Sequence, residues 1–392
     1  MAVFSILLAL SLTICTLATP PPVIGSPDRI IERQRRTCTP LPRSGFDMSD
    51  LNSAIAACSQ GGLIIIPANQ TYVISAPLDF YGCNNCEIQV EGTLKVSDNL
   101  VYWQSHSSVF LITNKQGLRI HSVTGSGVID GNGAAWYSYV NTYGNDLNVP
   151  VLVRTSSSSN ISISNLTVKD APAVFFATEG GSTDINYSSL TISSSGTGSY
   201  IALTPSAFTT SNSSAVSISA TTASLYGTCV SMQGGSKGIS IRNITCNTET
   251  GVIVRLPAAS TQPNVTVENI LVSDAVLNVI YEATGIFDEP SYTISADSQW
   301  IDRIKPRISN VTWEDIQLVN TGSPAYIGFC EDQGSSYCMH IRPEVRLEDV
   351  VFKDFSGTSH AFNATHPSFT CPSTSTCDVR FEDWSVQQAG PR

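Results

Sequence analysis

The stretch Ile239-Ser-Ile-Arg-Asn-Ile-Thr-Cys246 contains the pattern that decides the fold. Apolar and polar residues alternate, the phase slips by one residue at Asn243, and the alternation then resumes. Alternation with a period of two is typical of a β-strand with one buried face. The slip predicts a tight corner, because Asn tolerates the left-handed backbone conformation.

The same pattern recurs along the chain, in its clearest copies about two dozen residues apart. Short strands that repeat at this spacing, without a sustained helical period, predict a solenoid of strands. We therefore predict an all-β parallel β-helix, with loops inserted wherever the spacing is longer. Further copies begin at Ile161, Ile185, Val265, Val311, Val345 and Val379.

Asn residues aligned at the corners would form a ladder of side-chain amides. This predicts structural, unglycosylated roles for Asn165 and Asn243, although both lie in Asn-x-Ser/Thr sequons. The remaining sequons are the candidates for glycosylation, at Asn69, Asn160, Asn186, Asn212, Asn264, Asn310 and Asn363.

One segment has a helical pattern, over residues 48–59. Ser49 or Asp50 is the predicted N-cap, and Gly61-Gly62 is the predicted stop. An exposed end of a β-helix would template aggregation, so we expect this helix to cap the first coil.

The N-terminus has the features of a secreted protein. Residues 1–18 are apolar and end in small residues, which predicts a cleaved signal peptide, with an N-terminal membrane anchor as the alternative. Residues 19–36 end in Arg35-Arg36 and are interpreted as a pro-segment with a dibasic processing site, or else as a solvated basic run. Residues 37–392 would then form a single extracellular domain.

Composition narrows the range of partners. The chain of 392 residues is 42% hydrophobic and 14% charged, with a net charge of −11. That charge argues against nucleic acid, which needs a positive field. We expect a monomer with no cofactor, no metal and no membrane contact after signal cleavage.

Cysteines outside the predicted signal peptide are even in number and fall into close neighbours, which is typical of disulfides in a secreted chain. A zinc site at Cys83 and Cys86 lacks a second pair of ligands nearby. The simplest pairing is local: Cys38 with Cys58, Cys83 with Cys86, Cys229 with Cys246, Cys330 with Cys338, and Cys371 with Cys377.

Two long inserts are rich in aromatic residues, at residues 136–148 and 281–305. Trp136 and Trp300 are candidates for stacking on a sugar, but aromatic residues in loops also serve to pack the loop down.

The chain resembles glycoside hydrolase family 28, the polygalacturonase family, over nearly the whole mature sequence. The resemblance rests on Thr124-Gly-Ser-Gly-Val-Ile-Asp-Gly-Asn-Gly133, on the repeat, and on the positions of Cys229 and Cys246. The spacing of the last four cysteines looks most like that of fungal exo-acting members. The resemblance implies a right-handed single-stranded parallel β-helix of the pectin-lyase type, with a groove that takes pectic polysaccharide or oligosaccharide.

The catalytic motifs of that family are Asn-Thr-Asp, Asp-Asp, Gly-His-Gly and Arg-Ile-Lys. Counted from Cys229 and Cys246, the positions of their acids and histidine hold Ser206, Gly227, Thr228 and Thr250, and that of the lysine holds Glu282. Hydroxyls and glycine cannot act as the acid and base that hydrolysis requires. Glu282 would repel the carboxylate of a galacturonate. The resemblance therefore implies a catalytically impaired family member.

Two acids are gained at motif positions, Glu249 and Glu282, and Arg255, which follows on the next strand, is a candidate for binding substrate. Glu249 and Glu282 are interpreted either as an acid/base pair for a neutral sugar or as solvated surface carboxylates. Three functions stay open: a glycan-binding pseudoenzyme, a divergent glycosidase that uses these two acids, and a groove recruited for a non-carbohydrate small molecule.

Overall fold

The protein folds as a right-handed parallel β-helix built from two stacked sheets, as the repeat and the resemblance predicted. The computed structural model describes residues 14–16, 35–42, 47–143, 147–195, 205–256, 265–288, 306–328, 345–361, 364–365, 369 and 376–390. Within these residues a 17-stranded sheet, here called the major sheet, lies against a nine-stranded minor sheet.

The major sheet winds along the whole solenoid, and its longest strands each turn two corners. Its strands are β1 Ile14–Thr16, β2 Thr37–Thr39, β3 Leu63–Ile66, β4 Thr71–Ile74, β6 Glu87–Val90, β7 Thr93–Val96, β9 Arg119–His121, β10 Val128–Asp130, β12 Ser159–Lys169, β14 Ser182–Ser193, β16 Ser213–Ser224, β18 Ser236–Thr248, β20 Thr266–Val279, β22 Arg307–Thr321, β24 Arg346–Ser359, β25 Thr376–Glu382 and β26 Ser385–Gln388.

The minor sheet has one strand per coil, and each strand pairs in parallel with the next one along the solenoid. Its strands are β5 Leu78–Asp79, β8 Ser108–Thr113, β11 Val151–Ser156, β13 Phe176–Glu179, β15 Ser206–Thr210, β17 Thr228–Gln233, β19 Thr250–Leu256, β21 Thr284–Asp288 and β23 Tyr326–Gly328. Three helices complete the described residues: α1 Asp47–Ala57, α2 Leu100–Trp103 and α3 Ala134–Tyr143. None of them is long and apolar enough to span a membrane.

Each full coil of the major sheet has two left-handed corners, where the sequence predicted one. Small or polar residues stand at both, since Asn, Asp, Ser, Ala and Gly take positive φ at lower cost than bulkier residues. The first corner consists of Asn160, Asp184, Ala215, Gly238, Asn269, Asn310 and Asp349, and the second of Asn165, Ser189, Ala220, Asn243, Asp274, Asp315 and Asp354.

Among the described residues no ladder of side-chain amides forms at the predicted corner, where Asn165 Nδ2 instead donates to Ser122 O over 2.8 Å. Asn243 is exposed, and its neighbours in the column, Ala220 and Asp274, carry no amide. At the first corner, by contrast, Asn310 Nδ2 donates to Asn269 Oδ1 over 2.8 Å. Of the predicted glycan sites, Asn310 is therefore held by an amide contact, while Asn69, Asn160, Asn186 and Asn212 lie at or near the surface. Asn264 and Asn363 lie outside the described residues.

Helix α1 caps the first coil, as expected, but begins earlier than predicted. It starts at Asp47, so Ser49 and Asp50 lie in its first turn and neither is the N-cap. The Asp47 carboxylate is engaged by the Val73 amide, which donates to Oδ2 over 2.8 Å. Leu51, Ala54 and Ile55 are buried against the coil below.

The disulfides of the described residues follow the local pairing. Cys38 is joined to Cys58, Cys83 to Cys86, and Cys229 to Cys246. The pairing of Cys83 with Cys86 leaves no thiolate there for zinc. Cys377 is disulfide-bonded, and Cys330, Cys338 and Cys371 lie outside the described residues.

Candidate functional site

Five residues form a row across successive coils where the chain enters the minor sheet. Ser206 pairs in register with Thr228, and Thr228 with Thr250. The β19–β21 register, continued back from the pair of Val252 with Thr284, places Thr250 beside Glu282, which bridges to Ser323. We call these five residues the entry row. Its first four members stand at positions predicted from the cysteine count, and the first three of these carry hydroxyl groups.

The residues that immediately precede the entry row form a second row. The Thr228 amide donates to Pro205 O over 2.9 Å, and the Glu249 amide donates to Gly227 O over 2.9 Å. The Tyr281 amide in turn donates to Glu249 O over 2.8 Å. Glu249 therefore lies beside Gly227 on one side and Tyr281 on the other. Glu249 and Glu282 lie on adjacent coils, offset from each other by one residue.

Gly227 lies so close to a neighbouring backbone that the position has no room for a side chain. Its φ is +153°, and a Cβ at this position would lie 2.0 Å from Pro205 O. Two other glycines on these coils also lie close to a neighbouring carbonyl: a Cβ on Gly251 would lie 2.1 Å from Ala283 O, and one on Gly285 2.0 Å from Tyr326 O. Any side chain at position 227, including a carboxylate, therefore requires the backbone to move.

Glu249 is buried, with 7% of its surface exposed, so it is not a solvated surface carboxylate. Burial raises the pKa of its carboxyl group, and the hydrogen bond with Tyr226 opposes that rise only in part. Since a raised pKa favours the protonated form, Glu249 is a candidate proton donor.

Glu282 is half-buried. Burial raises its pKa as well, and a hydrogen bond to backbone and the charge of Arg255 lower it by less. Arg255 is near the end of β19, in register with Gln233 and Phe287. The charge of Arg255 therefore acts on Glu282. The sequence had not indicated an interaction between these two residues.

Tyr281 is the exposed aromatic residue of this region, with 52% of its surface accessible. Its amide donates to Glu249 O on the preceding coil, and Glu282 follows it in the chain. The sequence had not indicated Tyr281 as a site residue. A further aromatic contact lies nearby on the minor sheet, where the rings of Phe287 and Tyr326 are 5.1 Å apart. Exposure, which a single sequence does not reveal, is what distinguishes Tyr281 from buried aromatic residues such as Trp136.

Trp136 is not available for sugar stacking in this structure. It is 1% exposed, because the insert predicted as a loop begins with α3, which packs Trp136 into the core. Its neighbour Tyr137 donates a hydrogen bond to Ala171 O over 2.6 Å. The alternative that aromatic residues pack the insert down is thus the correct one here. Trp300 lies outside the described residues.

A disulfide and a pair of stacked aromatic rings support the strands of the site. The disulfide of Cys229 with Cys246 ties β17, which carries Thr228, to the major-sheet strand that leads into Glu249. Beneath the sheet the rings of Phe176 and Phe208 stack 5.3 Å apart. Sequence reasoning also missed the ion pair of Arg154 with Glu179, 2.5 Å apart on the minor sheet. No group of three or more metal-binding side chains occurs among the residues that the structure describes.

The fold and this row of residues define a parallel β-helix of the pectin-lyase type. A model of the glycosyl hydrolases family 28 matches residues 58–392, and the chain belongs to that family.

The relatives it resembles are fungal. The probable endo-xylogalacturonan hydrolase A of Aspergillus oryzae is 31% identical over 383 residues, which cover 96% of this chain and 91% of that protein. The crystal structure of the endo-xylogalacturonan hydrolase from Aspergillus tubingensis is 29% identical, with a TM-score of 0.79 over 90% of this chain and 93% of that one. These relatives are endo-acting by name, whereas the cysteine spacing resembled exo-acting members.

The fold extends to more distant proteins. A hyperthermoactive exopolygalacturonase from Thermotoga maritima has a TM-score of 0.59 at 14% identity, with 79% of this chain and 77% of that one covered. At that identity the likeness concerns the fold alone.

Proposed function

We propose that the protein is a secreted, monomeric family 28 member that binds pectic glycan on the minor sheet and does not hydrolyse it by the two-carboxylate mechanism of the family. One observation carries the proposal, which is the entry row. Ser206, Thr228 and Thr250 stack in register on three successive coils, and none has a side chain that can act as a general acid or base near neutral pH.

The energetic argument is simple. Inverting hydrolysis of a glycosidic bond needs one carboxylic acid and one carboxylate on opposite sides of the bond, about 6.5 to 9.5 Å apart. Each such group contributes roughly 10²- to 10⁴-fold in rate, so losing both removes most of the acceleration. Hydroxyl groups still donate and accept hydrogen bonds, so Thr250, which is half-buried where Ser206 and Thr228 are buried, keeps a group that can bind a sugar hydroxyl.

The glycan is suggested by the relatives, which are named for xylogalacturonan. The test combines two measurements on the mature protein: retention on immobilised xylogalacturonan and polygalacturonate, and release of reducing ends from the same polymers. We expect retention on at least one pectic glycan without new reducing ends. Turnover of polygalacturonate would contradict the proposal, and absence of binding to any glycan would favour a non-carbohydrate ligand.

A second candidate function is a divergent glycosidase acting on a neutral sugar, with Glu249 as acid and Glu282 as base. It is favoured by the burial of Glu249, which raises its pKa, and by the position of Glu282 on the adjacent coil near Arg255. This candidate predicts turnover of a neutral glycan that falls by at least about 10²-fold in Glu249→Gln. Glu314→Gln, on β22 of the major sheet, is the matched control and should retain full turnover.

A further inference from the structure

The corner formed by Tyr281 and Glu282 has the features of a sugar-binding surface. Tyr281 is 52% exposed and its neighbour Ile280 is 41% exposed, so an apolar platform faces solvent at this point of the coil. Glu282 follows directly in the chain, and Ser323 bridges to it from the next coil. An exposed aromatic ring beside hydrogen-bonding side chains suits a sugar, which stacks through its C–H face and bonds through its hydroxyls.

The charge at this corner is unfavourable to uronic acids. Two acidic residues adjoin Tyr281: its amide donates to Glu249 O on the preceding coil, and Glu282 follows it in the chain. The charge of Arg255 acts on Glu282 and favours its ionised form. The net charge of −11 adds a long-range repulsion of polyanions.

We propose, resting on the proposed function, that the sugar unit bound over Tyr281 and Glu282 is a neutral one, and that Glu282 excludes galacturonate there. A carboxylate accepts two hydrogen bonds from neighbouring hydroxyls of a neutral sugar. Against a uronate, the same carboxylate places like charges at short range, which costs affinity. Tyr281 supplies the contact common to both ligands, and Glu282 sets the preference between them.

The experiment compares a neutral galactan oligosaccharide with an oligogalacturonate of equal length, measured by calorimetry on the mature protein. We expect the neutral ligand to bind at least about tenfold more tightly. Glu282→Lys should reverse the preference by increasing affinity for oligogalacturonate about tenfold or more. Glu314→Lys makes the same change in net charge on β22 of the major sheet and should leave the preference as it is.

Further variants separate binding from folding. Glu282→Gln keeps the shape of the side chain, and it should narrow the gap between the two ligands without abolishing binding of the neutral one. Tyr281→Ala should weaken both ligands alike. Equal affinity of the wild-type protein for both ligands, or equal effects of Glu282→Lys and Glu314→Lys, would overturn the inference. Failure to bind either oligosaccharide or xylogalacturonan would instead overturn the proposed function itself.

Discussion

Thr228 on β17 lies in register beside Thr250 on β19, so two hydroxyl side chains are neighbours at the corner where the chain enters the minor sheet. We infer that these are the positions of ionisable catalytic groups in hydrolytic family members. Under the proposed function, the coil geometry keeps the row of side chains while hydrogen bonding replaces proton transfer. Predictions about stability, pH dependence and activity test this interpretation from different sides.

Gly227→Ala should destabilise the fold. A Cβ would lie 2.0 Å from Pro205 O, and the φ of +153° is strained for any residue other than glycine. We expect the free energy of unfolding, measured by denaturant titration, to fall by about 2 to 4 kcal/mol. Gly390→Ala is the control, because a Cβ there meets nothing within 4 Å, and it should change stability little. Equal stability of the two variants would show that Gly227 is not constrained by its backbone.

Glu91 should anchor the turn at residues 122–126. Its carboxylate is 8% exposed, and it accepts hydrogen bonds from the Val123 amide over 2.6 Å, from the Ser122 hydroxyl over 2.8 Å and from the Thr124 hydroxyl. Burial alone would raise the pKa of Glu91, but these hydrogen bonds outweigh it and hold the pKa at about 2.

A pKa depressed in the folded state stabilises the protein above the unfolded value of about 4.3, and the stabilisation is lost as the pH falls towards 2. For Glu91 the effect is about 3 kcal/mol. Glu91→Gln should therefore lower the melting temperature at pH 7 and flatten its dependence on pH between about 4.3 and 2. Glu348→Gln removes an exposed ion pair with Arg307 and should have a much smaller effect. If both variants melt alike, Glu91 is not the anchor.

Glu249 should show the opposite dependence on pH. Because burial raises the pKa of this carboxyl group, its ionised form destabilises the fold at pH values above the unfolded pKa of about 4.3. Glu249→Gln can keep the hydrogen bond with Tyr226 and removes the buried charge. We expect the variant to melt higher than the wild type at pH 7, with a difference that disappears below about pH 4. A variant that melts lower at pH 7 would mean that the carboxylate is stabilised by partners at the site.

Arg35 should protect the peptide bond after Arg36 from proteolysis once the chain has folded. Its guanidinium donates to Gly61 O over 3.1 Å and Gly62 O over 3.3 Å, and it pairs with Glu87. The Leu63 amide donates to Arg36 O over 2.8 Å, so the backbone on this side is engaged as well. A protease must first release these contacts, so the folded full-length chain should resist cleavage after Arg36.

The measurement is the rate of cleavage by a dibasic-specific protease, followed by mass spectrometry. Glu87→Ala should accelerate cleavage at Arg36 several-fold, and Glu348→Ala should not. Rapid cleavage of the folded wild-type protein at this bond would contradict the expectation. If the folded chain resists cleavage as expected, residues 19–36 are removed only before the first coils close.

The coil repeat could be predicted because a strand with one buried face and a left-handed corner leave a direct trace in the sequence. Members of the entry row were reached by counting along the motifs of the family from Cys229, and the structure places two of them, Ser206 and Thr228, in register beside each other. The first corner was missed, since Ala215 takes positive φ there although its residue type gives no turn signal.

The surroundings of individual residues were the second feature that the sequence did not predict. Glu249 became buried, and Gly227 came close to Pro205 O, through contacts with coils that lie some two dozen residues away in the chain. Helix α3 was missed because its aromatic residues favour neither helix nor loop strongly. For Glu249 and Gly227 the deciding neighbour is distant in sequence, and a pattern within one coil does not contain it.

Release of reducing ends from xylogalacturonan and polygalacturonate by the mature protein tests the loss of family chemistry most directly, provided that binding is measured on the same polymers. We predict saturable binding to pectic glycan, with reducing ends no more numerous than in a heat-inactivated control. Sustained turnover of polygalacturonate that persists in the Glu249→Gln and Glu282→Gln variants would contradict it, because the entry row would then perform catalysis without an ionisable group.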